Sequence, residues 1–411
     1  MSSFQILAMF RRGLFYSYLA IYLRQFLGLS VTETTLFASL PMILNVLSQR
    51  YLWGVFSDKY QRRRSMVIWG EVLAGIGTII LWYLHLIPRD KIYSGWIIIV
   101  GLTVIEVFWS MSNIGWSALI SDIYDEKERG HIMGKLESLG GVGRMAGILA
   151  GGLLYDKMGT EYAGWGFRNG ALFFISGAIM FLSVFPMLTV PEGGIRSEER
   201  DVVEDTERSE GVRRSFAIFL ISMVLINFGR NSIAVIMAPY LTLESGFNLS
   251  PLTLSYFANT RSLGIIFAGF LTGWILKKTG PENLLIWGSV AAASSLFLFG
   301  AADMLFNVGV GNLLLGISDV VIMASSYQIA SSYIPPEKRG KLFSVFNATF
   351  FLSWGIGATC ITGPIVDFLI AIGCLQTFAY RISFSVAGII VLFGIALLFL
   401  LFRSEKEARK T

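Results

Sequence analysis

Gly54-Val55-Phe56-Ser57-Asp58-Lys59-Tyr60-Gln61-Arg62-Arg63-Arg64 is a short, strongly charged loop between two apolar segments, each long enough to cross a bilayer. A loop of this size holds no domain, so it clamps or hinges the two helices it joins. Outward from it, apolar runs of roughly 18 or more residues recur along the whole chain, and each spans about 30 Å of hydrocarbon as a helix. The runs are continuous rather than alternating, which argues against strands.

Of the 411 residues, 54% are hydrophobic and 15% charged, and mean hydropathy is +0.63. A soluble chain carries nearer about a quarter charged residues. Length alone suggests two or three soluble domains, but the apolar count makes one membrane unit. The sequence predicts an all-α membrane protein with twelve transmembrane helices, near 4–27, 32–56, 66–87, 95–120, 131–154, 168–190, 215–242, 249–276, 283–303, 306–333, 341–370 and 377–402. Met1 to Phe10 has no basic start and no small-residue cleavage site, so the first span is read as a retained helix.

Lys and Arg set the orientation. One set of loops carries 21 of them, in the runs 59–64, 127–135, 196–214, 277–278, 338–341 and 403–410; the other carries six, Arg24, Arg89, Lys91, Lys157, Arg168 and Arg381. The first set is expected on the cytoplasmic side, which puts both termini there in a multi-pass protein of the cell membrane. The net charge of +5 is this loop bias. Basic residues spread over separate loops do not suggest nucleic acid.

The stretch 191–214 is the one long polar segment and contains no aromatic residue. It reads as a solvated tether between an N-terminal six-helix bundle (1–190) and a C-terminal one (215–402), followed by a cytoplasmic tail (403–411). The halves repeat. Phe10-Arg11-Arg12-Gly13 recurs as Phe228-Gly229-Arg230-Asn231 and Tyr22-Leu23 as Tyr240-Leu241, at an offset of 218; Glu126-Lys127-Glu128-Arg129-Gly130 recurs as Pro336-Glu337-Lys338-Arg339-Gly340 at 210. Such internal symmetry marks transporters with two related bundles around a central site.

The form G-x-x-x-D-K-x-x-R-R-R resembles the signature loop between helices 2 and 3 of the major facilitator superfamily of secondary transporters. With the span number and the long middle loop, the resemblance covers nearly the whole chain. It departs from the family pattern at Gln61, where glycine is usual. The resemblance implies a pseudo-twofold pair of six-helix bundles and a cytoplasmic latch of Gly54, Asp58, Lys59 and Arg62. In that latch Asp58 lies near the start of helix 11 around Gly340, a helix N-terminus that favours an anion. Arg62 pairs with Asp122, and Arg129 lies nearby. The second half has Lys277 in place of Asp58 and Ser332 in place of Asp122, so the latch is expected to be asymmetric. The alternative is that Lys59 to Arg64 only signals topology.

Helix 5 carries Gly134, Gly143, Gly147, Gly151 and Gly152, a spacing that resembles the helix 5 pattern of drug and metabolite antiporters in that superfamily; Ile148 stands where the family has proline. Physically, Gly143, Gly147 and Gly151 form a flat stripe for close helix approach. That packing alone is the other reading of the pattern.

Ionisable residues inside spans are functional candidates. The acids are Glu71, Glu106 and Asp319; the bases are Arg12, Arg144, Arg230 and Arg261. Arg11 and Arg50 lie nearer the span ends and are expected to snorkel. By the resemblance, helices 1, 4, 7 and 10 line a cavity and 2, 5, 8 and 11 border it. Glu71, on a peripheral helix, is then expected in a structural pair. Arg12 and Arg230 are repeat equivalents and suit a carboxylate or phosphate, unless each is neutralised by a local acid. The usual helix 4 arginine of the family is absent, which makes Glu106 the expected proton carrier. Trp109, Asn113 and Asn231 are further candidate substrate contacts, and Phe350 and Trp354 part of an apolar wall.

His85 and His131 have no Cys or His partner at ligand spacing, so no metal site is expected, and no cofactor. There is no G-x-x-x-x-G-K-[ST] motif and no nucleophile–base constellation, so neither ATP-driven work nor enzymatic activity is expected. The resemblance and the residues together imply proton-coupled export of small organic compounds by alternating access, by a monomer. The arginines favour uptake or exchange of organic anions as the alternative. A non-transporting membrane receptor or scaffold is the alternative of another class; it has no need of acids and arginines at mid-depth.

Overall fold

Charged caps and prolines punctuate long apolar helices. The computed structural model describes residues 1–124, 126–193, 210–334 and 339–408; inside its helices the side chains at 58, 121, 126–131, 133–135, 137, 210–213, 339–341, 343, 344 and 408 lie outside the description. The chain divides into two units, Met1–Glu199 with Asn248–Tyr256, and Arg200–Phe247 with Phe257–Thr411.

In the first unit, α1 is Ser2–Ile21, prolonged by a π turn over Tyr22–Phe26. α2, Val31–Ser48, starts at a capping box: Ser30 Oγ accepts from Glu33 N (3.1 Å) and Glu33 Oε2 from Ser30 N (2.8 Å), satisfying two end groups of the helix. It runs on through a π turn, Gln49–Trp53, into Gly54–Tyr60. α3 is Arg63–Leu86, α4 Lys91–Ile123, α5 Glu126–Tyr155 and α6 Ala171–Leu188, with a single turn, Trp165–Arg168, before α6. α1 packs on α5 and α6, α3 on α4 and α6, and α2 on α4.

In the second unit, α7 is Glu210–Asn231, α8 Pro251–Thr279 (its start, to Tyr256, belonging to the first unit), α9 Pro281–Gly300, α10 Leu305–Tyr333, α11 Arg339–Phe351 and α12 Gln376–Ala408. α7 packs on α12 and on the α11 region, and α9 on α10 and α12. Two spans expected as continuous are broken. The seventh ends at Asn231 and resumes only as Met237–Leu241; Pro239 lacks an N–H and its ring crowds the carbonyl four residues back. The eleventh continues past Phe351 as Ser353–Gly357, a π turn Ala358–Thr362 and Gly363–Ala371. There Pro364 cannot close an α-helical bond, and the wider turn absorbs the loss.

Among the described residues eight helical segments are long and apolar enough to cross a membrane. The helices outside that set include α1, α5, α7 and α8, which carry Arg11 and Arg12, Arg144, Arg230 and Arg261. Many large apolar side chains face outward, Phe270 at 84% and Phe306 at 76% exposure among them. This surface suits hydrocarbon rather than water. The chain is an all-α, multi-pass membrane protein.

Candidate functional site

The charged loop is shaped by one backbone turn. Gln61 has φ 51°, in the left-handed region where glycine is at ease, which accounts for glycine being usual there. The turn leaves Arg62 exposed at the N-cap of α3 and turns Arg63 inward. Arg63 Nε lies 3.3 Å from Asp122 Oδ2, and Arg63 Nη1 donates to Ser57 Oγ. This corrects the expected Arg62–Asp122 pair by one position: the N-cap points Arg62 to solvent, while the first helical residue faces α4. Gly54 follows the π turn of α2, where a Cβ would lie 2.6 Å from the Gln49 carbonyl. Lys59 is exposed above the Tyr60 ring. The side chains of Asp58 and Arg129, and Gly340, lie outside the description.

The start of the polar segment is docked on this corner. Glu192 Oε1 accepts from Ser65 N (2.9 Å) and Glu192 Oε2 from Ser65 Oγ (3.1 Å) and Arg64 Nε (3.1 Å), while Arg64 Nη1 donates to Val190 O (2.9 Å). A carboxylate on the free N–H groups of a helix start is stabilising. The head of the polar segment, up to Glu192, is thus closed on α3.

Deeper in the first unit, Arg11 and Arg12 diverge. Neighbours on a helix point about 100° apart, so the two differ in depth although both reach the Trp109 ring. Arg11 is 1% exposed, with Nη1 3.8 Å from Glu71 Oε2 and its guanidinium 3.8 Å from the Trp109 ring centroid. Its expected snorkelling is overturned, because α3 offers a buried acid close by. Glu71 Oε1 also accepts from Ser112 Oγ (2.9 Å) and Trp109 Nε1 (3.2 Å). Arg12 is half-buried on the same ring, at 4.8 Å. Tyr16 stacks on Trp109 as well, with centroids 6.1 Å apart. Glu106 is buried and accepts from Asn45 Nδ2, whose own Oδ1 accepts from Gln49 Nε2 (2.8 Å).

In the second unit, four helices converge on one acid. Arg230 Nη1 of α7 lies 2.5 Å from Asp319 Oδ1 of α10, and Arg261 Nη2 of α8 lies 2.8 Å from Asp319 Oδ2. Arg230 Nε donates to Asn227 Oδ1 (3.0 Å), and Asn227 Nδ2 to Thr349 Oγ1 (3.2 Å). The guanidinium of Arg230 lies 5.4 Å from the Phe350 ring centroid and that of Arg261 5.2 Å from that of Trp354. Asn231 is fully buried and donates to Ser353 Oγ (2.8 Å), tying α7 to the α11 region, while its Oδ1 has no hydrogen-bond partner. Asn113 is half-buried on α4, and Arg144 is exposed on α5.

The glycines of α5 meet α1. A Cβ at Gly143, Gly147 or Gly151 would strike the carbonyls of Ile6, Phe10 and Leu14 in turn, and one at Gly152 the Tyr18 hydroxyl. Gly134 lies outside the described side chains. Among the described residues no group of His, Cys, Asp and Glu is placed to hold a metal ion.

Sequence reasoning missed three polar anchors: the depth of Arg11, the Asn45–Gln49 chain under Glu106, and Glu192. The 100° rotation between Arg11 and Arg12 was the available signal for the first. The spacing of Asn45 and Gln49, one helical turn apart, was the signal for the second. Glu192 gave none, since a carboxylate at the head of a polar segment reads as solvated.

A sequence profile described as Major Facilitator Superfamily matches residues 1–358 and 219–411. The chain is 22% identical over 397 residues to the multi-drug resistance efflux pump PmrA of Streptococcus pneumoniae serotype 4, covering 93% of this chain and 90% of that one. It is 23% identical over 284 residues to the multidrug resistance protein MdtG of Klebsiella pneumoniae, covering 68% of this chain and 64% of that relative's length. Two solved structures share the fold at 15% identity and a TM-score of 0.72. One is a bacterial homolog of the human lysosomal transporter Spinster, inward-facing and unoccupied, covering 98% of this chain and 95% of that one. The other is a variant of the nucleoside transporter NupG, covering 97% and 99%.

Proposed function

Because the chain belongs to the Major Facilitator Superfamily, we propose that it is a proton-coupled secondary transporter that exports small organic compounds by alternating access. Members of this family move small molecules across a membrane; the coupling and the direction are the proposal. One observation carries the coupling. Of the three acids inside spans, Glu71 and Asp319 are ion-paired to arginine, whereas among the described residues Glu106 is held by a neutral amide, Asn45. An acid locked to a cation has no reason to exchange its proton. One held by an amide, beside two arginines on a shared tryptophan, is free to do so. Glu106 is therefore the proton carrier in this reading.

Export is supported by the relative named as a multi-drug resistance efflux pump. In this reading the protein acts as a monomer in the cell membrane with both termini in the cytoplasm, an orientation that the Lys and Arg count supports. In the latch of this proposal Arg63 and Asp122 replace the expected Arg62 pairing, with Gly54, Asp58, Lys59, Arg129 and Gly340 as the remaining members. The alternative of organic-anion uptake or exchange is favoured by the excess of arginine over acid around Asp319. A scaffold or receptor leaves the buried ionic clusters without a task.

The test uses purified full-length protein in proteoliposomes with an imposed pH gradient, and two radiolabelled probes, ethidium and benzenesulfonate. Gradient-dependent accumulation of either, abolished by collapsing the gradient with an ionophore, is the expected result. Accumulation of neither, or accumulation indifferent to the ionophore, overturns proton coupling.

A further inference from the structure

We infer that Arg230 and Arg261, with Asp319 between them and the rings of Phe350 and Trp354 against them, form a binding site for the acid group of an aromatic carboxylate or sulfonate. The inference names a substrate class for the transporter proposed above and rests on that reading for its purpose, though not for its test.

Charge is the first argument. Two guanidiniums share one carboxylate, and no other acid is paired to either among the described residues. The cluster is left one positive charge in excess at a depth where an uncompensated arginine is costly. A purely structural clasp between α7 and α10 needs one arginine; the second has no neutralising partner of its own.

Donor capacity is the second. Arg230 is fully buried, yet its Nη2 has no hydrogen-bond partner. A buried donor left unmade is destabilising, so the protein keeps this one for something the unit does not itself supply. An anion oxygen matches it, because guanidinium presents a planar fork suited to carboxylate and sulfonate. Asn227, braced by Thr349, fixes that fork through Arg230 Nε.

The rings supply the third. Phe350 and Trp354 lie under the two guanidiniums, with their own centroids 6.3 Å apart. They hold the cations by their faces and offer aromatic surface beside the charge. The acid group of a ligand competes with Asp319 for the same donors, so Asp319 guards the site until a ligand displaces it.

The test is equilibrium binding and thermal unfolding of the purified protein in detergent, without any gradient. The probes are benzenesulfonate, its neutral analogue benzenesulfonamide and the cation benzylammonium. Benzenesulfonate is expected to bind and raise the melting temperature, and the other two are not. Arg230→Lys and Arg261→Lys should each weaken binding about tenfold or more, since lysine keeps the charge and loses the fork. Asp319→Asn should tighten binding, because the competing carboxylate is gone. Arg261 is partly exposed, so Arg261→Lys keeps the test open if Arg230→Lys does not fold. Equal stabilisation by sulfonate and sulfonamide, no binding of benzenesulfonate, or unchanged affinity in Arg261→Lys overturns the inference while leaving proton coupling untouched.

Discussion

Arg63 is buried against Asp122 because Gln61 turns the chain through a left-handed residue immediately before α3. The charge run at 62–64 is legible in the sequence, but which arginine points inward is not, since that depends on one backbone angle. The same holds for Arg11 and Asn231. Each has a chemically apt side chain, and only helix rotation decides whether it meets an acid, a neighbouring helix or an open face. Arg63→Gln, or Asp122→Asn, removes an ion pair between two nearly buried side chains and should cost about 1–3 kcal/mol, read as a lower melting temperature in detergent. Arg62→Gln, at an exposed position, should change stability by less than about 0.5 kcal/mol. If Arg62→Gln proves the more damaging, the pairing described here is wrong.

Helices were legible where apolar runs are long, and their interruptions less so. Pro239 and Pro364 stood in plain view, yet a proline within an apolar run reads as a tolerated kink in a membrane span. The structure instead stops α7 at Asn231 and inserts a π turn before Pro364. The π turn of α2 has no proline to announce it; Trp53 Nε1 donating to Val107 O at 2.6 Å pins it to α4. The glycine stripe of α5 was legible as a surface for close approach, and the partner is α1. Gly147→Leu drives a side chain into the Phe10 carbonyl and should cost at least about 1–3 kcal/mol through overpacking. A melting temperature equal to that of the parent protein would show that α1 and α5 do not pack as described.

At the scale of the whole molecule, the three buried acids lie on α3, α4 and α10, all among the most apolar helices, while the arginines beside them lie on less apolar ones. Excess of cation over acid around Asp319, balance around Glu71, and an amide in place of a cation at Glu106 give the three buried acids three different surroundings. The sequence shows which acids lie at mid-depth; it cannot show which of them an arginine has claimed, because that choice joins residues tens of positions apart. Proton coupling through Glu106 is the central claim, and Glu106→Gln tests it most directly, because glutamine keeps the shape and the bond to Asn45 but carries no exchangeable charge. Two quantities are read in proteoliposomes for whichever probe the parent protein accumulates: exchange of labelled for unlabelled probe without a gradient, and accumulation driven by a pH gradient. The predicted result is exchange close to the parent rate, with accumulation reduced to that of protein-free vesicles. Gradient-driven accumulation that survives in Glu106→Gln at the parent level would contradict it.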